Sequence, residues 1–380
     1  MILNIIIFIA ILAILVLVHE FGHFLSAKKF KMYVQEFGFG FPPKIKGWKK
    51  KETLWTINAV PLGGFVKIAG EDGESEEDAN LGEQVVSQKE IIEAIKLDDK
   101  EIIIDEKITE IDENLKIPKE RYFSSKPIWQ RIIVLVSGVA MNFILGWLIL
   151  VIVFIIGTKP VVVVSQVVKD SPAYSAGIKD GDKIVGYSSA DSFISFINSH
   201  KGDKISLTVQ NGSGSRTVEV VPRVNVPAGE GPLGVALSSG GVQKESFFNA
   251  IWDATKVSFK IFLMIYTTLF DLIIGFFYGP NLFKYISGPV GIFQATSQAT
   301  SLGVGYLANL VAFISLNLAA LNIFPFPALD GGRVLFLIIE KIKGSPVKLR
   351  TQQWINGIGF ALLLTLVLAA SIQDVVRLFH

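Results

Sequence analysis

From Ile2 to Val18 the chain carries no charge and one polar side chain, Asn4, and directly after it stands His19-Glu20-Phe21-Gly22-His23. An apolar run of this length meets the roughly 20 residues that a bilayer-spanning helix needs. Ionisable side chains at membrane depth cost about 2.5–3.5 kcal/mol on insertion scales, so they are seldom idle. On a helix His19 and His23 are i and i+4, and both imidazoles face one side. Glu20 stands beside that pair rather than between its members. H-E-x-x-H on a helix is a zinc-hydrolase pattern, with the two His as ligands and the Glu as general base. The plain alternative is a chance quartet in a core helix, and the expense of polarity inside a span weighs against it.

Composition points the same way. Half of the residues are hydrophobic and 18% are charged, against about 25% charged in ordinary soluble domains. With no cysteine in the chain, disulfides, thiolate metal sites and a thiol nucleophile are excluded, so a metal must be held by His and carboxylate. The remaining two of the four His, His200 and His380, have no partner at ligand spacing. A net charge of +2 gives no reason to expect nucleic acid as a partner. No Lys or Arg precedes the first apolar run and no A-x-A pattern follows it, so it is expected to be a retained helix rather than a cleaved signal.

Three further stretches are apolar enough to span: Ile132 to Ile156, Leu307 to Phe326 and Ile355 to Ile372. Val257 to Phe277 is interrupted by Lys260 and Asp271. Basic residues gather after the first span (Lys28, Lys29, Lys31 and 44–51), before the second (Lys126, Arg131) and between the third and fourth (Arg333 to Arg350). By the positive-inside rule those faces are cytoplasmic, which leaves both termini and residues 158–300 outside.

Asn322-Ile-Phe-Pro-Phe-Pro-Ala-Leu-Asp330-Gly-Gly-Arg333 breaks the third apolar stretch at its cytoplasmic end and sets an acid in apolar sequence. Irregular backbone at membrane depth needs protein or a cavity around it. Asp330 offers the carboxylate oxygen that two His lack as a third ligand; a capping Asp in an ordinary Asp-Gly turn is the alternative. His19, His23 and Asp330 reach one depth only if Val257 to Phe277 does not cross, and that stretch is expected to lie along or dip into the outer interface.

His19 to His23 together with Asn322 to Gly331 resembles the site-2 protease family of intramembrane zinc metalloproteases, specifically the bacterial regulator-of-sigma-E protease branch. Further pieces match: Glu36-Phe-Gly-Phe-Gly-Phe-Pro42, Pro61-Leu-Gly-Gly-Phe-Val-Lys67, Gly138-Val-Ala-Met-Asn-Phe143 and Ser287-Gly-Pro-Val-Gly291. The resemblance implies Zn2+ held by His19, His23 and Asp330, Glu20 as catalytic base, and Asn322 near the substrate backbone. It implies a location in the bacterial cytoplasmic membrane and hydrolysis within or near the transmembrane segments of single-span proteins, such as anti-sigma factors or remnant signal peptides. The acidic stretch Glu71 to Arg121 departs from the family pattern and reads as an insertion.

Pro160 to Val168, Ser171 to Val185 and the strands flanking Asn211-Gly212 resemble a single PDZ module, with Asn-Gly as a hairpin signal. Peptide capture at a sheet edge and steric exclusion of bulky ectodomains are both open for it, and a β-domain that only caps the membrane part is the plain alternative. Thr53 to Asn58 and Phe65 to Ile68, joined through Pro61-Leu-Gly-Gly64, read as one hairpin near the cytoplasmic mouth; its free edge is expected to unwind a substrate helix, and a hairpin that only packs on the rim is the plain alternative. The expected fold is thus a multi-pass α-helical membrane protein with four transmembrane helices, one extracytoplasmic PDZ-like β-rich domain and a cytoplasmic membrane-associated β-hairpin. Its expected order begins with helix one (1–27) and a cytoplasmic region (28–128) holding the hairpin (52–69) and the insertion (71–121). Helix two (129–157), the PDZ-like domain (158–240) and interfacial helices (241–303) follow. Helix three (304–332), a cytoplasmic loop (333–352) and helix four (353–380) complete it.

Other classes fit less well. Gly212-Ser213-Gly214 has no His placed to activate its serine, and Asp330 has no second acid for an aspartyl site. A zinc-bearing scaffold that recruits partners through its PDZ-like domain would have no need of Glu20.

Overall fold

The computed structural model describes residues 2–71, 117–211, 214–278 and 287–379; most of the acidic insertion, and Gly212 and Ser213 of the turn triplet, lie outside them. The described chain is mostly helical, with two β-sheets. Among the described residues four helices are long and apolar enough to cross a membrane: α1 (Ile2–Lys29), α2 (Ile128–Ile156), α7 (Val304–Ile323) and α9 (Leu349–Phe379, apolar to Val376). The chain forms two compact units, one of Ile9–Asn142 with Leu318–Thr365, the other of Met1–Phe8, Phe143–Asn317 and Leu366–His380.

In the first unit β1 (Val34–Lys50) and β2 (Thr53–Ile68) form one sheet, in which 34–39 runs antiparallel to 64–68 and in step with 54–57, and 44–50 runs antiparallel to 53–58. Both strands fold back on themselves. Phe37 is paired with Val66 on one side and with Trp55 on the other, and Trp48 is paired with Trp55 in turn. The segments therefore lie in the order 64–68, 34–39, 53–57, 44–50. The bend in β1 falls at Pro42 and Pro43, which lack the N–H a continuous ladder needs. The segments read above as one hairpin, 53–58 and 65–68, do not pair with each other in this register, because 34–39 lies between them. An alternating pattern marks strands but does not choose their neighbours.

The sheet packs on α1, α2 and α8 (Asp330–Lys343) through Ala27, Met32, Val34, Ile68, Val134 and Leu337. Residues expected as a loop after Asp330 are thus helical as far as Lys343. Phe336 and Leu337 are buried in that helix, while Lys341 and Lys343 complement its C-terminal dipole. The expected third span, 304–332, is two helices separated at Phe324–Leu329, where Pro325 and Pro327 remove helical N–H donors.

The backbone on either side of residues 72–116 is joined: Phe123 N–H donates to Ala69 O at 2.8 Å and Tyr33 N–H to Arg121 O at 2.9 Å. Glu52 accepts from Lys28 at 2.7 Å and from Arg121 at 2.6 Å, which ties the β1–β2 turn to the last turn of α1. Partial burial raises the Glu52 carboxyl, and the two cations outweigh it and hold it below the usual glutamate range.

α1 and α2 meet at Gly22. A Cβ there would press into the Ser137 carbonyl and stand 2.9 Å from Gly138 Cα, so only glycine lets the two backbones approach this closely. Ser26 and Ser137 share a 2.7 Å hydrogen bond at the same crossing.

The second unit holds a five-stranded antiparallel sheet of β3 (Val161–Val167), β4 (Lys183–Ile184), β5 (Ile205–Asn211), β6 (Gly214–Val220) and β7 (Val235–Gly240), in the order β6-β5-β4-β3-β7. A short helix, α3 (Pro172–Ser175), follows β3, and α4 (Ala190–Ser199) buries Phe193 and Ile197 against the sheet. Asp182, 1% exposed, is satisfied by Arg216 at 2.7 Å and Asn211 at 3.0 Å. α5 (Phe247–Tyr278) runs antiparallel to α2. Glu245 N–H meets Phe154 O at 2.9 Å, Trp147 Nε1–H donates to Thr255 at 2.9 Å, and Phe143 lies 5.2 Å from Phe262. Ala250, Ala254 and Ser258, four apart and fully buried, are the small side chains of that contact. α6 (Pro289–Leu302) is capped by Asp374 of α9, which accepts from Gly291 N–H at 2.7 Å.

Overpacking a tight helix crossing typically costs about 1–3 kcal/mol. Gly22→Val is expected to lower unfolding stability in detergent by that order, whereas Gly357→Ala, with nothing within 4 Å of its added Cβ, leaves it unchanged or raised. A Glu52 carboxyl that is depressed in the folded protein contributes stability above the ordinary glutamate value, about 4.3. That contribution is lost as pH falls through the folded value. The thermal midpoints of wild type and Glu52→Gln are therefore expected to differ at neutral pH and to converge in acid.

Candidate metal centre

His19 and His23 stand one turn apart on α1, both buried, with their rings 4.8 Å apart edge to face. Asp330 opens α8 after the Pro325–Pro327 break. Its neighbour Gly331 must be small, because a Cβ would run into the Ile323 and Phe324 carbonyls. The break therefore packs tightly enough to return Asp330 to the His pair. His19 Nε2 lies 2.9 Å from Asp330 Oδ2 and 3.1 Å from His23 Nε2, and His23 Nε2 lies 3.4 Å from the same carboxylate oxygen. Among the described residues this is the group of three or more His and acid side chains that could hold a metal ion.

The donor set fits zinc. His23 Nδ1 lies 2.8 Å from Val134 O, and a carbonyl only accepts, so the proton sits on Nδ1 and the Nε2 lone pair faces inward. Two imidazole lone pairs and a carboxylate converging on one apolar point call for a cation between them. Donors bound at about 2.0–2.1 Å in a tetrahedron stand roughly 3.3 Å apart, the spacing seen across this triangle. An ion held by these three groups would leave room for water.

α2 forms the wall behind the His pair. A Cβ on Gly138 would overlap the His23 ring and stand 2.9 Å from His19 Cε1. One turn on, the fully buried Asn142 places its side-chain amide 3.3 Å from His19 Nδ1. The amide atom facing that nitrogen is Nδ2; an end-for-end turn of the amide puts Oδ1 in its place, where it accepts the Nδ1 proton and leaves Nε2 as the lone-pair donor that a metal ligand must be. Gly138 and Asn142 were visible in the sequence as part of one motif but carried no assigned role. The available signal was an amide in the middle of an apolar span.

Beside the three donors is a cavity of about 210 Å³ lined by Val16, His19, Glu20, Leu318, Asn322, Ala328, Leu329 and Asp330. It is smaller than the roughly 300–1,000 Å³ of sites that enclose a whole small molecule, and has room for a peptide unit and water. Glu20 and Asn322 both face it, with Asn322 Nδ2 3.5 Å from His19 Nε2. The wall at Ala328, whose φ is +71°, is braced by Asn356 of α9, which accepts the Ala328 N–H at 3.2 Å. Nothing in the spacing of the motifs pointed to Asn356. His200 is taken up locally by the Phe196 carbonyl at 2.8 Å, and His380 lies outside the described residues.

A His-His-carboxylate triangle with an adjacent glutamate on a small cavity, on a helix apolar enough to cross a membrane, has the makings of a membrane metallohydrolase site. Comparison with known proteins is specific. Residues 7–366 match the model of peptidase family M50, and the chain belongs to that family. It is 33% identical to the zinc metalloprotease RasP of Shouchella clausii over an alignment of 421 residues covering 98% of each chain. It is 31% identical to the regulator of sigma-W protease RasP of Bacillus subtilis, covering 99% of each.

Removing an outer-shell partner of a ligating His typically costs 10–100-fold in metal affinity. Asn142→Ala is expected to weaken zinc binding by about that factor, read by competition with a chromophoric chelator. Gly138→Val is expected to abolish binding.

Proposed function

We propose that this chain is a zinc metalloprotease of the bacterial cytoplasmic membrane that cuts single-span membrane proteins within or near their transmembrane segments. The observation that carries this reading is the convergence of His19, His23 and Asp330 beside Glu20, on the wall of one small cavity. The Bacillus subtilis relative is named a regulator of sigma-W protease, which supports membrane-bound regulators of sigma factors as substrates; remnant signal peptides share their single-span chemistry.

His19, His23 and Asp330 would hold the zinc. When bound, the ion supplies Lewis acidity, polarising the scissile carbonyl and lowering the pKa of water. Glu20 takes the proton of the attacking water and passes it to the leaving amine. Asn322, on the same wall, donates to the substrate carbonyl or orients the peptide. Val16, Leu318 and Leu329 line the same cavity, and a substrate seated on them would displace water and strengthen the polar contacts beside it.

A helical substrate hides its carbonyls and must be extended before it is cut. The 64–68 segment is an edge of its sheet among the described residues, and a Cβ on Gly64 would stand 3.4 Å from Glu20 Cγ. That proximity supports main-chain pairing of substrate along this edge as the route into the site. The basic residues at the ends of α1 and α8 support a cytoplasmic site. The antiparallel run of α5 along α2 supports reading α5 as dipping into the outer leaflet. The five-stranded sheet, with β7 as an edge strand and Ala190 N–H of α4 donating to its Ser239 at 2.7 Å, supports a PDZ-like module that captures an extended peptide.

The test is cleavage of a single-span model substrate by wild type and Glu20→Gln, with zinc measured on both. General-base loss costs about 10²–10⁴-fold in rate, so Glu20→Gln is expected to keep its zinc and lose cleavage by that order. Asp330→Ala is expected to lose zinc. Cleavage by Glu20→Gln at the wild-type rate would remove Glu20 from the mechanism. Equal zinc with cleavage by neither protein would favour a zinc-bearing scaffold.

A further inference from the structure

The strand at the outer edge of the β1–β2 sheet has a composition that its place in the sheet does not require. Among the described residues 44–50 pair only with 53–58. Between Lys44 and Lys51 stand five lysines and no acid, and all five are exposed. Lysine on an edge strand is a common guard against pairing with other chains. A guard has no use for exposed apolar bulk, yet Phe41 is 47% exposed, Ile45 68% and Trp48 45%. Aromatic and aliphatic side chains set among lysines make the composition of a lipid–water boundary, with rings at the headgroup level and cations in the phosphate layer.

The position of the strand suits that boundary. β1 begins at Val34, just past the end of α1 at Lys29. The turn that follows the basic strand is tied back to the last turn of α1 by the 2.7 Å contact of Lys28 with Glu52. Glu52, the acid next to the lysines, is also engaged by Arg121, so it does not neutralise them. The basic strand is therefore fastened at the level where α1 leaves its apolar run.

We propose that the Lys44–Lys51 strand docks on anionic phospholipid headgroups of the leaflet at the C-terminal end of α1. Its lysines engage phosphate, and Ile45 and Trp48 enter the interface. The inference rests on the membrane-spanning reading of α1. A docked strand would hold the sheet, and with it the edge beside Glu20, against the membrane surface from which a substrate arrives.

The absence of cysteine makes a direct test available. Full-length Ile45→Cys, labelled with an environment-sensitive fluorophore, is reconstituted in phosphatidylcholine vesicles and in phosphatidylcholine–phosphatidylglycerol vesicles. Ile14→Cys, on the exposed side of α1, serves as the insertion control. Docking predicts a blue shift and quenching by headgroup-level nitroxide lipid at position 45 in the anionic vesicles. High salt should reduce both, and combined Lys44→Gln, Lys46→Gln, Lys49→Gln and Lys50→Gln should abolish them. Quenching at position 14 by acyl-chain nitroxide in both vesicles, with position 45 in water throughout, overturns the proposal and leaves the membrane reading standing. Equal burial of position 45 in both vesicles overturns the role of anionic lipid. No quenching at position 14 overturns both readings.

Discussion

At Gly22 and Gly138 two apolar helices come into backbone contact, and the site hangs on that contact. Gly22 lies between the two His of α1, so the close approach happens at their level. The absence of a side chain at Gly138 leaves the volume that the His23 imidazole fills. The same stretch of α2 supplies the partners that settle the rings, with Val134 O for His23 and Asn142 for His19. Polar groups in apolar surroundings are expensive unless each has a partner. The arrangement gives each imidazole an inward lone pair and an outward hydrogen bond, and the acid that completes the triangle arrives from a different helix.

That arrival depends on the broken chain between α7 and α8. An unbroken helix would carry Asp330 onward along the axis of α7. Pro325 and Pro327 end the helix, and Gly331 lets the chain fold tightly enough to return the carboxylate to the His pair. The broken segment also forms part of the cavity wall, so one irregular stretch carries Asp330 to the His pair and bounds the cavity beside it. Asn356 of α9 braces it from behind.

Much of this was legible in the chain. The spans follow from length and apolarity, which a bilayer demands of any helix that crosses it. His19 and His23 as a candidate ligand pair follow from i, i+4 spacing, and Asp330 as the candidate third group from an acid placed where the apolar sequence breaks; the structure brings the three together. The β1–β2 sheet was legible only in part. The sequence marked 53–58 and 65–68 as strands of one hairpin, but 34–39 lies between them, because β1 turns at Pro42–Pro43 and threads there. The helix Asp330–Lys343 was hidden for a related reason, since its basic tail resembled a loop while Phe336 and Leu337 had a core to face.

The sequence by itself determined the number of apolar helices, the chemistry of the candidate ligand set and the exclusion of thiol-based sites. These are local properties, set by residue type and by spacing along one helix. Only the tertiary structure decided that Gly138 and Asn142 stand behind the His pair, that Gly64 lies beside Glu20, and that the lysine strand is the outer edge of its sheet. Each of those relations joins residues from different elements. Pairing register and helix crossing arise from packing, for which the linear pattern carries no coordinate.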